Sequence, residues 1–132
     1  MPAADEPARA DVELRLPAEG AYVSVLRTTT AGLAARLDFT LDDIEDLRMA
    51  VGEAAAMVLE VAAGDLTARF WLSGRTLRVV VATPVVGHVT IDEHGFAWQV
   101  LTTLAGEAHA SVDAGRLEIT LVVTATPLGT TS

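Results

Sequence analysis

Glu53, Met57 and Glu60 stand at i, i+4 and i+7 of an apolar-periodic segment, so on a helix they share one face. That face lies away from the main apolar stripe. It also holds Met49 and Ala56, so it is only partly polar. A helix of this kind has two jobs: one side packs on a sheet, and the other turns carboxyl groups toward a cavity or a loop. By spacing alone, the same pattern also describes an ordinary exposed face with solvated glutamates. Other chemistries have less support. The chain has no cysteine, which removes disulfide scaffolds, thiolate zinc sites and cysteine nucleophiles. His88, His94 and His109 do not fall at a recognisable metal-ligand spacing.

The elements that must position these residues belong to a chain of 132 residues, which fits one domain. Hydrophobic residues make up 51% of it, ample for a core, and the net charge is −9. That acidity argues against direct binding to nucleic acid, which needs a basic footprint to meet phosphates. It disfavours anionic membranes equally, and suits an encounter with a basic protein partner. The start, MPAADEPARADVE, lacks the basic opening and apolar run of a signal peptide. No apolar stretch approaches the roughly 18 residues that suggest a membrane span. A soluble, cytoplasmic protein is expected.

Val12, Leu14 and Leu16 alternate with Asp11, Glu13 and Arg15, predicting a half-buried strand stopped by Pro17. Tyr22, Val25, Leu26, Thr29, Leu33 and Leu37 follow helical spacing, predicting a helix over roughly 19–37. Thr40 with Asp43 three residues on resembles a capping box, and Asp42, Asp43, Glu45 and Asp46 crowd the following turns. Ile44, Leu47, Val51, Ala54, Ala55, Val58 and Ala62 form the apolar stripe of this second helix, with Gly64 as its stop. Two strands follow, joined at Ser73-Gly74. Leu66, Ala68, Phe70 and Leu72 line one face of the first; Leu77, Val79 and Val81 line one face of the second; Arg69 and Arg78 point the other way. Residues 83–94 read as a loop and 95–105 as a short helix. A last hairpin turns at Asp113-Ala114-Gly115, its second strand carrying Leu117, Ile119, Leu121 and Val123. Hairpin neighbours make the sheet mainly antiparallel. Charge and threonine on one sheet face leave helices to cover the other. The expected architecture is an α/β (α+β) two-layer sandwich.

Three stretches carry a family resemblance. The segment DFTLDDIEDLRMAVGEAAAMVLEVA (Asp38 to Ala62) resembles the N-box region of RsbW-like anti-sigma factors, the small serine-kinase branch of the GHKL, or histidine-kinase-like, ATPases. AYVSVLRTTTAGLAARL (Ala21 to Leu37) resembles their first helix. HGFAWQVLTTLAGEAHAS (His94 to Ser111) resembles their last helix and following strand. The likeness covers roughly residues 12–124 in the family's order. It implies a Bergerat-type fold, with residues 1–10 as a disordered lead-in, 11–126 as a single histidine-kinase-like ATPase domain and 127–132 as a flexible tail.

The resemblance also implies site residues, several of them altered. The family's N-box glutamate activates the attacking hydroxyl, and Glu53 matches it. An asparagine one turn later holds magnesium; here that position is Met57, whose thioether is a poor ligand for a cation that demands oxygen. An aspartate that reads adenine, followed by two spaced glycines, becomes ATPVVG: Thr83 replaces the aspartate, Val85 the first glycine, and Gly87 keeps the second. The phosphate-cradling Gly-x-Gly at the last helix becomes Gly95-Phe96-Ala97, so Ala97 replaces its second glycine. Glu53 is then a vestigial base position. ATP with magnesium is expected to bind weakly at best, and no cofactor is expected. Thr83 keeps a hydroxyl that could still meet a base.

The family also holds a sigma factor away from RNA polymerase, usually as a homodimer, and its first-helix arginine matches Arg27. Ser24, Thr28, Ala31 and Ala35 around it are small, which would let a partner approach closely. The plain alternative is a solvated surface arginine. Trp98, at a position that faces nucleotide in active relatives, could plug the vacated pocket, while Trp71 reads as half-buried or as an interface anchor. Three functions follow. The first is an anti-sigma factor that sequesters a sigma factor without efficient kinase activity, released by a competing anti-anti-sigma (STAS) protein. The second is an active ATP-dependent serine kinase of such a partner. The third is a non-catalytic dimerising regulatory adaptor.

Overall fold

The computed structural model describes residues 9–127. The expected tails at 1–10 and 127–132 therefore fall almost wholly outside the described residues. The elements are β1 (Val12–Leu16), a 3-10 turn (Gly20–Tyr22), α1 (Val23–Arg36), α2 (Leu41–Glu60), β2 (Leu66–Ser73), β3 (Thr76–Pro84), α3 (Phe96–Leu104), β4 (Glu107–Asp113) and β5 (Arg116–Thr124). The strands form one sheet in the order β1-β2-β3-β5-β4, and every neighbouring pair is antiparallel. This is the expected two-layer sandwich. No helix among the described residues is long and apolar enough to cross a membrane.

Strand alternation decides which side chains enter the core. Leu66, Ala68 and Phe70 of β2, Leu77, Val79 and Val81 of β3, and Leu117, Ile119 and Leu121 of β5 are all buried on the helix side. Central to the second layer is α2, which packs on β3 and β5 and touches both α1 and α3. Its own residues bury on more than one flank for that reason: Leu47, Val51, Ala54, Ala55 and Val58, as expected, and also Ala50 and Gly52. Ile44 is only half-buried, and Ala62 lies past the helix end.

The start of α2 follows the local signal. Thr40 Oγ1 accepts a hydrogen bond from the Asp43 N–H at 3.1 Å, and Asp42 and Asp43 lie in the first turn, where the helix dipole favours negative charge. Two hairpin turns use left-handed residues. Gly74 has φ +59 at the β2–β3 turn, which is centred on Gly74 and Arg75 rather than on Ser73 and Gly74. Ala114 (φ +52) and Gly115 (φ +73) reverse β4 into β5, the backbone signs of a type I′ turn.

Other expectations need correction. The helix over 19–37 is not continuous. No side chain caps its start at Glu19, so the first turn tightens, with Tyr22 N–H to Glu19 O at 3.0 Å, and regular α-helix begins at Val23. Its buried residues are Leu26, Thr30 and Ala34, while Tyr22 and Val25 face out. Gly64 does not stop α2, which has ended at Glu60. It is instead where the chain crosses the end of β3, and a Cβ there would meet Pro84 Cγ at 3.0 Å. Residues 83 and 84 belong to β3, with Thr83 opposite Leu117 and Pro84 opposite Arg116, so the loop starts later than expected.

The sheet face away from the helices carries Arg69, Trp71, Arg78, Arg116 and Glu118. The guanidinium carbons of Arg69 and Arg78 lie 5.5 and 5.8 Å from the Trp71 ring centroid. Arg69 Nη2 is 2.9 Å from Glu118 Oε2, and Arg116 Nε is 3.4 Å from the same oxygen. Beneath these side chains Val80 and Ala82 are buried, although they sit on the face opposite the helices.

Candidate functional site

The predicted face of α2 forms as spaced. Glu53 and Met57 are half-buried and Glu60 is exposed, while Met49 and Ala56 open to solvent. Met57 packs against the edge of the hydrophobic core, where its thioether supplies apolar contact.

Thr83 is fully buried within β3. Its hydroxyl lies 3.2 Å from both the Gly64 and the Asp65 carbonyl oxygens, and it has one proton to share between them. That hydroxyl is committed inside the protein and does not face an open site. Val85 is 7% exposed, with its side chain in the core and its N–H given to Gly115 O at 2.8 Å. Gly87 is exposed, with φ +76, in the loop that follows.

At the start of α3, Gly95 is the N-cap residue, and no side chain caps from that position. Asp92 closes the turn before it: its Oδ1 accepts the His94 N–H at 3.0 Å, and its backbone oxygen accepts the Gly95 N–H at 3.1 Å. A Cβ on Gly95 would lie 2.8 Å from Asp92 Oδ2. The glycine therefore admits a carboxylate of the chain itself at this helix end, a place where the dipole favours negative charge. Ala97 is exposed, Phe96 is 82% exposed, and Trp98 is buried in the main core.

On α1, Ser24, Arg27, Thr28 and Ala35 are exposed and Ala31 is half-buried, so the expected small-residue face exists around Arg27. Arg27 also leans inward. The position a Cβ would take on Gly52 lies 2.5 Å from Arg27 Nη2 and 2.6 Å from its Nε, so the guanidinium rests on the bare backbone of α2, one residue before Glu53. The structure thus places Arg27 beside α2, while Thr83, Val85, Gly87, Gly95 and Ala97 follow from the end of β3 to the start of α3. Two residues escaped the sequence reading, Gly52 and Asp92. Both act through close approach. The only signals were a glycine inside an otherwise strong helical pattern and an aspartate three residues before a glycine. Grooves of about 310 and 280 Å³ flank this stretch, the first at Glu13, Arg15, Asp65, Thr67, Pro84 and Arg116, the second between residues 89–93, in the loop from Gly87 to Gly95, and β4. His109, expected to be an ordinary strand histidine, lies on β4 with Nε2 2.8 Å from Glu107 Oε2.

A comparison with protein-family models finds no match. Among curated proteins, the serine-protein kinase RsbW of Bacillus licheniformis is 30% identical, over 79% of this chain and 80% of that protein. This chain belongs to the RsbW family. The RsbW of Bacillus velezensis is 40% identical over a shorter match, 54% of this chain and 48% of that protein. The RsbW fold recurs in the crystal structure of the RsbU and RsbW domains of Rv1364c from Mycobacterium tuberculosis. That structure superposes with a TM-score of 0.69 at 19% identity, covering 86% of this chain and 31% of that one. Its likeness concerns the fold alone.

Proposed function

We propose that this chain is a cytoplasmic anti-sigma factor that holds its sigma factor by surface complementarity, as a homodimer and without efficient phosphoryl transfer. The observation that carries this reading is Thr83: at the position of the adenine reader, the only polar group is buried and bonded to Gly64 and Asp65 carbonyls. The other positions point the same way. Phosphoryl transfer depends on metal-assisted positioning and charge stabilisation. Met57 offers sulfur where magnesium needs oxygen. Val85 closes off a backbone N–H, and Asp92 brings negative charge to the helix end where phosphate would sit. These residues do not fit Mg-ATP. What remains is the α1 face around Arg27, with Ser24, Thr28 and Ala31, as the partner surface. Release then comes from a competing STAS partner rather than from phosphorylation.

A second reading, an active serine kinase of that STAS partner, is favoured by the name its relatives carry and by Glu53, which stays half-buried at the N-box position. Two measurements separate the readings. Calorimetric titration with Mg-ATP is expected to give no saturable binding at micromolar concentrations, and incubation with candidate STAS partners no phosphoserine. Affinity capture from the native cell is expected to recover a sigma factor. Tight Mg-ATP binding with phosphate transfer makes the chain a kinase; capture that yields no sigma factor favours a dimerising adaptor.

A further inference from the structure

We infer that Gly52 is the seat that holds the Arg27 guanidinium in its partner-facing pose, and that it acts in partner capture as a positioning residue without touching the partner. This rests on the reading of the α1 face given above. Three observations carry it. Gly52 is buried in the middle of α2, where glycine is the least favoured residue but proline. What uses the missing Cβ is the far end of Arg27, with Nη2, Nε and Cζ at 2.5, 2.6 and 3.0 Å from the place a Cβ would take. Third, Arg27 makes no hydrogen bond or ion pair among the described residues, although it is one of nine cationic residues in a chain with eighteen acidic ones. Its Nε and Nη2 lie against α2, while the residue as a whole stays exposed and no group among the described residues accepts its N–H donors.

A guanidinium presents its donors as a rigid planar fork, suited to a carboxylate or to paired carbonyl groups. Lodging its Nε–Nη2 edge against a helix backbone removes side-chain freedom before the partner arrives, and so lowers the entropy lost on binding. Beside the small neighbours Ser24, Thr28 and Ala31, the donors of the exposed Arg27 that do not face Gly52 are left for a partner. A methyl at position 52 would occupy the seat. Because the displaced atoms end a flexible side chain, α2 keeps its place and Arg27 swings away.

The test uses the full chain and four variants: Gly52→Ala, Arg27→Ala, the double substitution of these two, and Gly32→Ala as a control. The first readout is the side-chain Nε–H signal of Arg27 in a nitrogen-15 spectrum. It is expected to move in Gly52→Ala and to stay in Gly32→Ala, a control on α1 whose added methyl meets nothing within 4 Å. An unmoved signal in Gly52→Ala overturns the seat. The second readout is affinity for the sigma factor recovered by capture. Gly52→Ala is expected to bind about tenfold more weakly, with no further loss when added to Arg27→Ala. Full affinity in Gly52→Ala beside a weakened Arg27→Ala overturns the positioning role while leaving the α1 surface intact. Full affinity in Arg27→Ala removes the α1 surface itself, and the inference with it.

Discussion

The Asp43 carboxylate binds Thr126 twice, accepting its backbone N–H at 2.8 Å and its hydroxyl at 2.9 Å, across 83 residues of sequence. The helix-starting turn of α2 is thereby fastened to the chain just past β5. Arg75 reinforces the corner, its Nη2 lying 3.0 Å from both the Asp38 and Thr126 carbonyl oxygens. These hydrogen bonds favour the charged form of Asp43. The Thr126 N–H is the largest cause, with the Thr126 and Thr40 hydroxyls adding to it, and the pKa falls below the ordinary carboxylate value.

That shift has a sign. A carboxylate with a depressed folded pKa stabilises the fold at pH above its ordinary value, about 3.9, and this stabilisation is lost as pH falls through the folded pKa. Thermal unfolding followed from pH 7 downward should therefore show wild type and Asp43→Ala differing by about 0.5 kcal/mol at neutral pH, since water screens so accessible a carboxylate, and converging in acid. A constant gap across the range would show that the carboxylate charge plays no part.

Thr83→Val keeps shape but leaves the Gly64 and Asp65 carbonyls without the hydroxyl they share. The expected cost is about 1 kcal/mol, read by chemical denaturation, with unchanged secondary structure. If Thr83 served a ligand instead, the substitution would leave the free protein's stability unchanged.

Gly95→Ala pushes a methyl against Asp92 Oδ2 and should destabilise the turn before α3 by about 1 kcal/mol. Asp92→Ala removes the crowding but also the bond to the His94 N–H. The two changes together are expected to cost less than their sum, and strict additivity in thermal melts would show that the two residues do not meet.

Trp98 is 5% exposed and sits in the main core. Trp98→Ala is expected to cost about 3–5 kcal/mol, a large share of a small domain's stability. The emission of Trp98, isolated in a Trp71→Phe background, should lie to the blue of solvent-exposed indole.

Much of the fold was legible in the chain. Alternation at Val12, Leu14 and Leu16 and along β5 named the buried faces, and Thr40 marked the start of α2. The face of α2 that holds Glu53, Met57 and Glu60 was legible too, because sharing a helix face is a matter of spacing. The interruption at the start of α1 was not, since periodicity reports which residues share a face and is silent on whether the first turn has a cap.

By itself, then, the sequence determined the strand faces, the start of α2 and the helix face that Glu53, Met57 and Glu60 share. Each of these depends on the side chain and its near neighbours along the backbone. Tertiary structure alone decided where Thr83 sends its hydroxyl, that Asp92 occupies the space above Gly95, that Gly64 makes room for Pro84, and that Arg27 rests on Gly52. Close approach and hydrogen-bond pairing between distant segments depend on ångström-scale placement. Only the packing of helix on helix and strand on strand supplies it.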